Sequence, residues 1–158
     1  MRFRTAFNRL WLVAAVWLAL FSVAAAEQEK IPLDQVPKPV IDAVKAKFPK
    51  GELTGAEKET EGKKVTYEVK LLDKKRKFEV IAAPDGKVLA VEKVLEPSEL
   101  PKPVTETLDA KYPKSKIKKA EEVVANEKTT YEVVLITAES QTVKLIFDAK
   151  GKLIEPKS

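Results

Sequence analysis

The chain has 158 residues, 29 of them basic and 24 acidic, with no His and no Cys. No Cys means no disulfide frame and no lipid anchor through an N-terminal Cys. No His excludes an ordinary proton shuttle at neutral pH, a Ser-His or Cys-His nucleophile pair and the usual zinc chemistry.

Residues 1–26 read as a secretory signal peptide. Arg2, Arg4 and Arg9 form a basic start, Leu10 to Val23 is an apolar run broken only by Ser22, and Ala24-Ala25-Ala26 supplies the small residues before a cleavage site. The competing reading, an uncleaved anchor, suffers from length: the run to Ala26 is about 17 residues, against the ~20 that cross a bilayer. Cleavage removes three Arg, no acid and both Trp, and leaves 26 basic against 24 acidic residues. These near-balanced charges describe a solvated surface and not a nucleic-acid footprint. An exported, Cys-free chain fits a bacterial envelope, periplasmic or secreted, better than an animal extracellular space. Its roughly 132 remaining residues can bury one core, or two small cores that lean on each other.

After the leader comes VPKPVIDAVKAKFPK at 36–50, and LPKPVTETLDAKYPK repeats it at 100–114. The match continues at the same offset. Ala56-Glu57 meets Ala120-Glu121, and Tyr67-Glu68-Val69 meets Tyr131-Glu132-Val133. After a one-residue insertion, Gly86-Lys87-Val88-Leu89 meets Gly151-Lys152-Leu153-Ile154. The chain is an internal duplication of about 60 residues, a tandem pair rather than a solenoid.

Each phrase predicts a helix. Val36, Val40, Val44 and Phe48 recur at steps of four, as do Leu100, Val104, Leu108 and Tyr112, which puts one apolar stripe on one face. The Pro residues of the first turn are tolerated because their missing N–H has no helical partner there. Asp34 and Ser98 are the expected N-caps, and Pro49 and Pro113 end the helices. Four strands are expected after each helix: 52–61, 64–72, 76–83 and 87–94, then 116–125, 129–138, 141–148 and 152–155. Val65, Tyr67, Val69 and Leu71 alternate with polar residues, and Thr129, Tyr131, Val133 and Leu135 repeat the stripe, which is the pattern of half-buried antiparallel strands. Turn residues such as Glu61-Gly62-Lys63 and Pro84-Asp85-Gly86 join them. Phe48, Tyr67, Phe78, Tyr112, Tyr131 and Phe147 all fall on expected core stripes.

The ordered set now resembles a known family. A Pro-bearing start, a helix ending in Lys-Phe-Pro or Lys-Tyr-Pro, Tyr-Glu-Val (67–69 and 131–133) and a closing hairpin (Asp85-Gly86-Lys87-Val88-Leu89; Gly151-Lys152-Leu153) resemble the PepSY-like family of exported bacterial proteins. That family is related to the beta-lactamase-inhibitor protein, a tandem repeat of a helix plus a four-stranded sheet. The resemblance covers about residues 32–156 and implies a noncatalytic binding or inhibitory module whose exposed sheet face grips a protein. This chain departs from the inhibitor in committing its aromatics to the core, which argues against beta-lactamase inhibition.

The remaining candidates for chemistry are charged. No phosphate-binding Gly loop occurs. Glu57, Glu59 and Glu61, with Glu121 and Glu122 at the equivalent place and Glu68 and Glu132 in the Tyr-Glu-Val motif, admit a calcium or acid–base reading. The spacing is not that of an EF-hand, and solvent-facing strand positions need polar residues, with Lys58, Lys63, Lys64 and Lys70 as cross-strand partners. No catalytic, cofactor or metal residue is therefore assigned. Lys74, Lys75, Arg76 and Lys77 sit at a hairpin tip, and Lys114, Lys116, Lys118 and Lys119 form a second cluster; both could meet anionic lipid or wall polymer. Val134, Ile136 and Ile146 make the face opposite the Tyr131 stripe more apolar in the second copy, either for a partner or for burial within the protein.

The expected fold is α+β: two tandem repeats, 27–94 and 95–158, each one helix packed on a four-stranded antiparallel meander, with the two sheets side by side or merged. The expected function is noncatalytic binding or inhibition of an unidentified protein partner in the envelope, with no cofactor and no nucleic acid. The alternative is an envelope structural or surface-adhering protein that uses its Lys clusters on anionic lipid or wall polymer.

Overall fold

The computed structural model describes residues 27–154; the leader expected at 1–26 lies outside them. Nine strands follow one another in space in the order of the sequence, every neighbouring pair antiparallel. They are β1 (Glu27–Ile31), β2 (Glu52–Glu61), β3 (Lys64–Asp73), β4 (Arg76–Ala82), β5 (Val88–Val94), β6 (Lys116–Ala125), β7 (Lys128–Ile136), β8 (Thr142–Asp148) and β9 (Leu153–Ile154). Helix α1 (Lys38–Lys47) lies between β1 and β2, and α2 (Lys102–Lys111) between β5 and β6. The two expected meanders merge: β5 bonds to β4 on one side and to β6 on the other, from Ala90 opposite Ala125 to Val94 opposite Glu121.

The strand β1 is an addition to the sequence expectation. It meets β2 with Ile31 opposite Ala56, just as the chain leaving β5 meets β6 through the Leu95 N–H donating to the Ala120 carbonyl at 2.9 Å. Ala56 and Ala120 are repeat-equivalent, so β1 occupies for the first copy the place that β5 occupies for the second. Its sequence, EQEKI, is exposed except at Ile31 and carries no apolar period. Backbone pairing, with Ile31 packed on the first core, makes it a strand, and its charges suit an edge.

Both helices pack on one face of the sheet. Val40 and Val44, fully buried, meet Val69, Leu71, Val80 and Ala82. Val104 and Leu108 meet Val133, Leu135, Leu145 and Phe147. Ten-residue helices are marginal alone in water; each buried side chain contributes about 1.5–3 kcal/mol, and that packing holds them. The six aromatics all join these cores, Phe147 fully buried and the rest partly.

The expected caps are corrected. Asp34 and Ser98 lie inside short 3-10 turns, Leu33–Gln35 and Pro97–Glu99. The helices start after Pro37 and Pro101 with no side-chain cap. The prolyl ring fixes the φ that a helix entry needs and leaves no N–H to satisfy, so the caps are dispensable. Val36 and Leu100 precede the helices and still enter the cores.

Gly86 and Gly151 explain the recurrent closing hairpin. Both have positive φ, +88° and +76°, and a Cβ on Gly86 would come 2.6 Å from the carbonyl oxygen of Pro39. A Cβ on Gly151 would collide with the Pro103 carbonyl in the same way. Each hairpin thus presses its turn onto the first turn of its repeat's helix, and only glycine fits both the conformation and the space.

Candidate functional site

The helices leave the other face of the sheet open: Val40 and Val44 of α1 and Val104 and Leu108 of α2 enter the two cores on the covered face. Alternation along the strands dictates what the open face shows. It carries Glu57 from β2, Thr66, Glu68 and Lys70 from β3, Lys77, Glu79 and Ile81 from β4, and Ala90, Glu92 and Val94 from β5, as their cross-strand partners place them. The second repeat adds Lys119, Glu121 and Val123 from β6, Glu132, Val134 and Ile136 from β7, and Lys144 and Ile146 from β8.

A row of carboxylates crosses six consecutive strands of this face: Glu57, Glu68, Glu79, Glu92, Glu121 and Glu132. Three ammonium groups lie in ion-pair contact with it. Lys70 Nζ is 2.7 Å from Glu57 and 3.2 Å from Glu68, Lys119 Nζ is 2.6 Å from Glu121 and 3.8 Å from Glu79, and Lys144 Nζ is 2.5 Å from Glu132. Gln28 donates to Glu57 at 2.6 Å.

Two β-bulges set this arrangement. The register slips between Leu53 and Gly55 in β2 and, at the equivalent place, between Ile117 and Lys119 in β6. The extra residue returns the following position to the open face. Copy one then pairs Gly55 with Lys70, and copy two pairs Lys119 with Val134. The lysine has changed strands between the copies, so copy one sets one ammonium, Lys70, beside its carboxylates and copy two sets two, Lys119 and Lys144. Adding a side chain at Gly55 meets nothing within 4 Å, so the glycine marks the vacated position rather than a tight turn.

Glu79, Glu92 and Glu121 bring carboxylate oxygens within 4.8 Å of one another on β4, β5 and β6, where the repeats join. Burial and the neighbouring carboxylates, Glu121 first, push the Glu92 carboxyl up to about 7. Burial, followed by Glu79, also raises Glu68 against the opposing pull of Lys70. Glu121 is 4 % exposed; its Oε1 has no aligned hydrogen-bond donor, and the Lys119 ammonium at 2.6 Å is its ion-pair partner. These three acids have the spacing to hold a cation, but the Lys119 ammonium already lies against two of them. Glu92 has neither an ion pair nor a side-chain hydrogen bond among the described residues.

The expected site residues divide into two groups. Val134, Ile136 and Ile146 stand half-buried on the open face, with Ile146 opposite both Glu132 and Ile154. Ile154, 38 % exposed, extends their apolar surface; the sequence places it on the last expected strand, 152–155, but its face follows only from the pairing with Ile146. The basic tip is split. Lys74 and Lys75 are the exposed turn residues, both with positive φ, and Lys77 points to the open face opposite Leu72. Arg76 instead donates to both carboxylate oxygens of Glu99 at 2.8 Å, 23 residues away in the 3-10 turn Pro97–Glu99. Lys74 to Lys77 line a shallow cleft with Val94, Glu96 and Glu99. Among the carboxylates, Glu121 and Glu122 fall on opposite faces, with Glu122 3.5 Å from the Tyr131 hydroxyl that donates to it. Glu79 and Glu92 were missed: copy two has Lys144 in place of Glu79, and no repeated motif marks either. Their adjacency exists only because the sheets merge.

Among the described residues no helix is long and apolar enough to cross a membrane. The family described as "Putative beta-lactamase-inhibitor-like, PepSY-like" matches the sequence twice, over residues 22–90 and 86–155. Comparison with curated proteins finds no match. The fold is similar to that of a solved BLIP-like protein from Bacteroides fragilis NCTC 9343, with 21% identity, TM-score 0.62, and 80% of this chain and 86% of that chain covered. It is also similar to a structure from Bacteroides eggerthii DSM 20697 titled "putative periplasmic proteins", with 16% identity, TM-score 0.65, and 76% and 86% of the two chains covered.

Proposed function

This chain belongs to the PepSY-like, beta-lactamase-inhibitor-like family, and on that premise we propose that it is an exported, noncatalytic binding module that grips a partner protein in the cell envelope with the open face of its sheet. One observation carries the reading: a continuous nine-stranded sheet keeps both helices on one face and leaves on the other a half-buried apolar set beside a row of carboxylates, all but Glu92 ion-paired among the described residues. A merely solvated strand face needs neither the apolar residues nor buried acids; Glu57, at 9 %, and Glu121, at 4 %, are among the least exposed polar residues of the protein. Protein interfaces combine such an apolar centre with polar surroundings. Export rests on the leader read at 1–26 and on the periplasmic description of the Bacteroides eggerthii protein.

The experiment is a pull-down from the native envelope with the full chain, Val134→Asp, Ile146→Asp and, as a control on the opposite side, Lys45→Asp. One protein retained in stoichiometric amount, lost with the first two variants and kept with the third, supports the reading. Salt-sensitive retention on membranes or wall that survives Val134→Asp and falls with Lys74→Ala and Lys75→Ala favours surface adhesion through the basic tip instead.

A further inference from the structure

We propose that the partner docks on the open face by placing an arginine side chain, borne on an apolar loop, over the seam between the repeats, against Glu79, Glu92 and Glu121. The inference rests on the open face being the binding surface and deepens it by naming what fits there. Six carboxylates cross the face and three ammonium groups contact them; Lys30, Lys64, Lys77, Lys116 and Lys128 stand only at its rim, beside the rim acids Glu59 and Glu61. Inside the rim negative charge is therefore in excess, and it peaks at the seam. There, three acids within 4.8 Å of one another share the single ammonium of Lys119. A guanidinium suits this gap better than an ammonium, since its planar fork can meet carboxylates on two strands at once and its weak hydration lowers the cost of burial. Val94 and Val123 flank the acids on the same strands, and Val134 and Ile146 continue outward, so the loop around the arginine should be apolar. Val123 is only 8 % exposed, which makes this centre a shielded rather than a fully solvated one, and shielded charge pairs are the ones that discriminate partners.

Protonation of Glu92 ties this docking to pH. The charged groups facing it are Glu68 and Lys70 from β3, Glu79 from β4, Lys119 and Glu121 from β6 and Glu132 from β7. Acids outnumber bases around it, so the free protein holds a proton there near neutrality, and an incoming guanidinium should expel it.

The test uses a random library of disulfide-constrained peptides selected on the full mature chain at pH 8, with each binder mapped by amide chemical shifts. Enriched peptides should carry an arginine flanked by apolar residues and perturb β4, β5 and β6. Their affinity should fall at least tenfold in the Glu79→Gln, Glu92→Gln double variant, and should also weaken on going from pH 8 to pH 5.5 in the parent but not in the variant. Removing the Glu92 charge relieves repulsion at the seam, and an unchanged spectrum with a thermal midpoint at or above the parent's shows that the variant folds. Binders on the open face that lack a basic residue, or that ignore the double variant, overturn the arginine proposal and leave the face intact as the binding surface. Binders that map to the Lys74–Lys77 tip or to the helices overturn the face itself, and a library that enriches nothing overturns the proposal.

Discussion

Glu92 sits on the middle strand of the sheet with a carboxylate on the strand to either side. Its folded carboxyl titrates near 7 against an ordinary 4.5, so the native state binds the proton more tightly than the unfolded chain does. By linkage, its contribution is fully present below pH 4.5, declines as pH rises from 4.5 to about 7, and is gone above. Glu92→Gln should remove that decline. Denaturant melts at pH 5 and pH 8 should show the variant gaining about 1–2 kcal/mol over the parent at pH 8, a value below full linkage because the group is partly solvated. Equal differences at both pH values would contradict the seam electrostatics. Glycine positions offer a second test at this scale. Gly86→Ala must both adopt φ +88° and displace the Pro39 backbone, and should cost about 2–4 kcal/mol. Gly62→Ala, at φ +59° in open space, should cost about 1 kcal/mol. Urea midpoints measure both, and equal losses would remove the argument that the hairpin presses on the helix.

The elements show how each kind of signal reached the sequence. The helices and the eight strands β2 to β9 were legible, most clearly where the apolar period matches what they bury: Val40 and Val44 at one turn's spacing, Val133 and Leu135 at alternate positions. β1 was not, since an edge strand of EQEKI buries almost nothing and is fixed by backbone bonds to β2. The caps were misread because Pro37 and Pro101 supply the helix entry by their own geometry. The apolar set Val134, Ile136 and Ile146 was legible from alternation. The Glu79–Glu92–Glu121 cluster was not, because it draws on three strands whose neighbourhood depends on β5 pairing with β6. The β3–β4 hairpin carries an evident strain: Lys74 and Lys75 hold φ of 49° and 67° between the paired residues Asp73 and Arg76, a two-residue turn that favours Asn-Gly. Replacing Lys74→Asn and Lys75→Gly together should stabilise the protein by about 1 kcal/mol, read from the thermal midpoint; a loss would mean that the two lysines hold contacts worth more than their backbone strain.

At the scale of the whole molecule, the duplication has produced one sheet rather than two beads. Since β5 is hydrogen-bonded to both β4 and β6, the repeats should unfold together. Leu108→Ala, which opens a cavity in the second core at a cost of about 2–4 kcal/mol, should lower hydrogen-exchange protection in β3 and β4 of the first repeat as much as in β7 and β8. Loss confined to the second repeat would mean that the seam does not couple them. The same continuity gives the protein a binding face wider than either repeat could offer, with its charge excess at the join. That face is the central claim, and position-resolved photo-crosslinking in the native envelope tests it most directly. A benzophenone side chain in place of Ile146 or Val134 should give an adduct with one protein, while the same group in place of Lys45 on the helix side or Lys75 at the tip should give none. An adduct from Lys45 or Lys75 with none from Ile146 and Val134 would contradict the account.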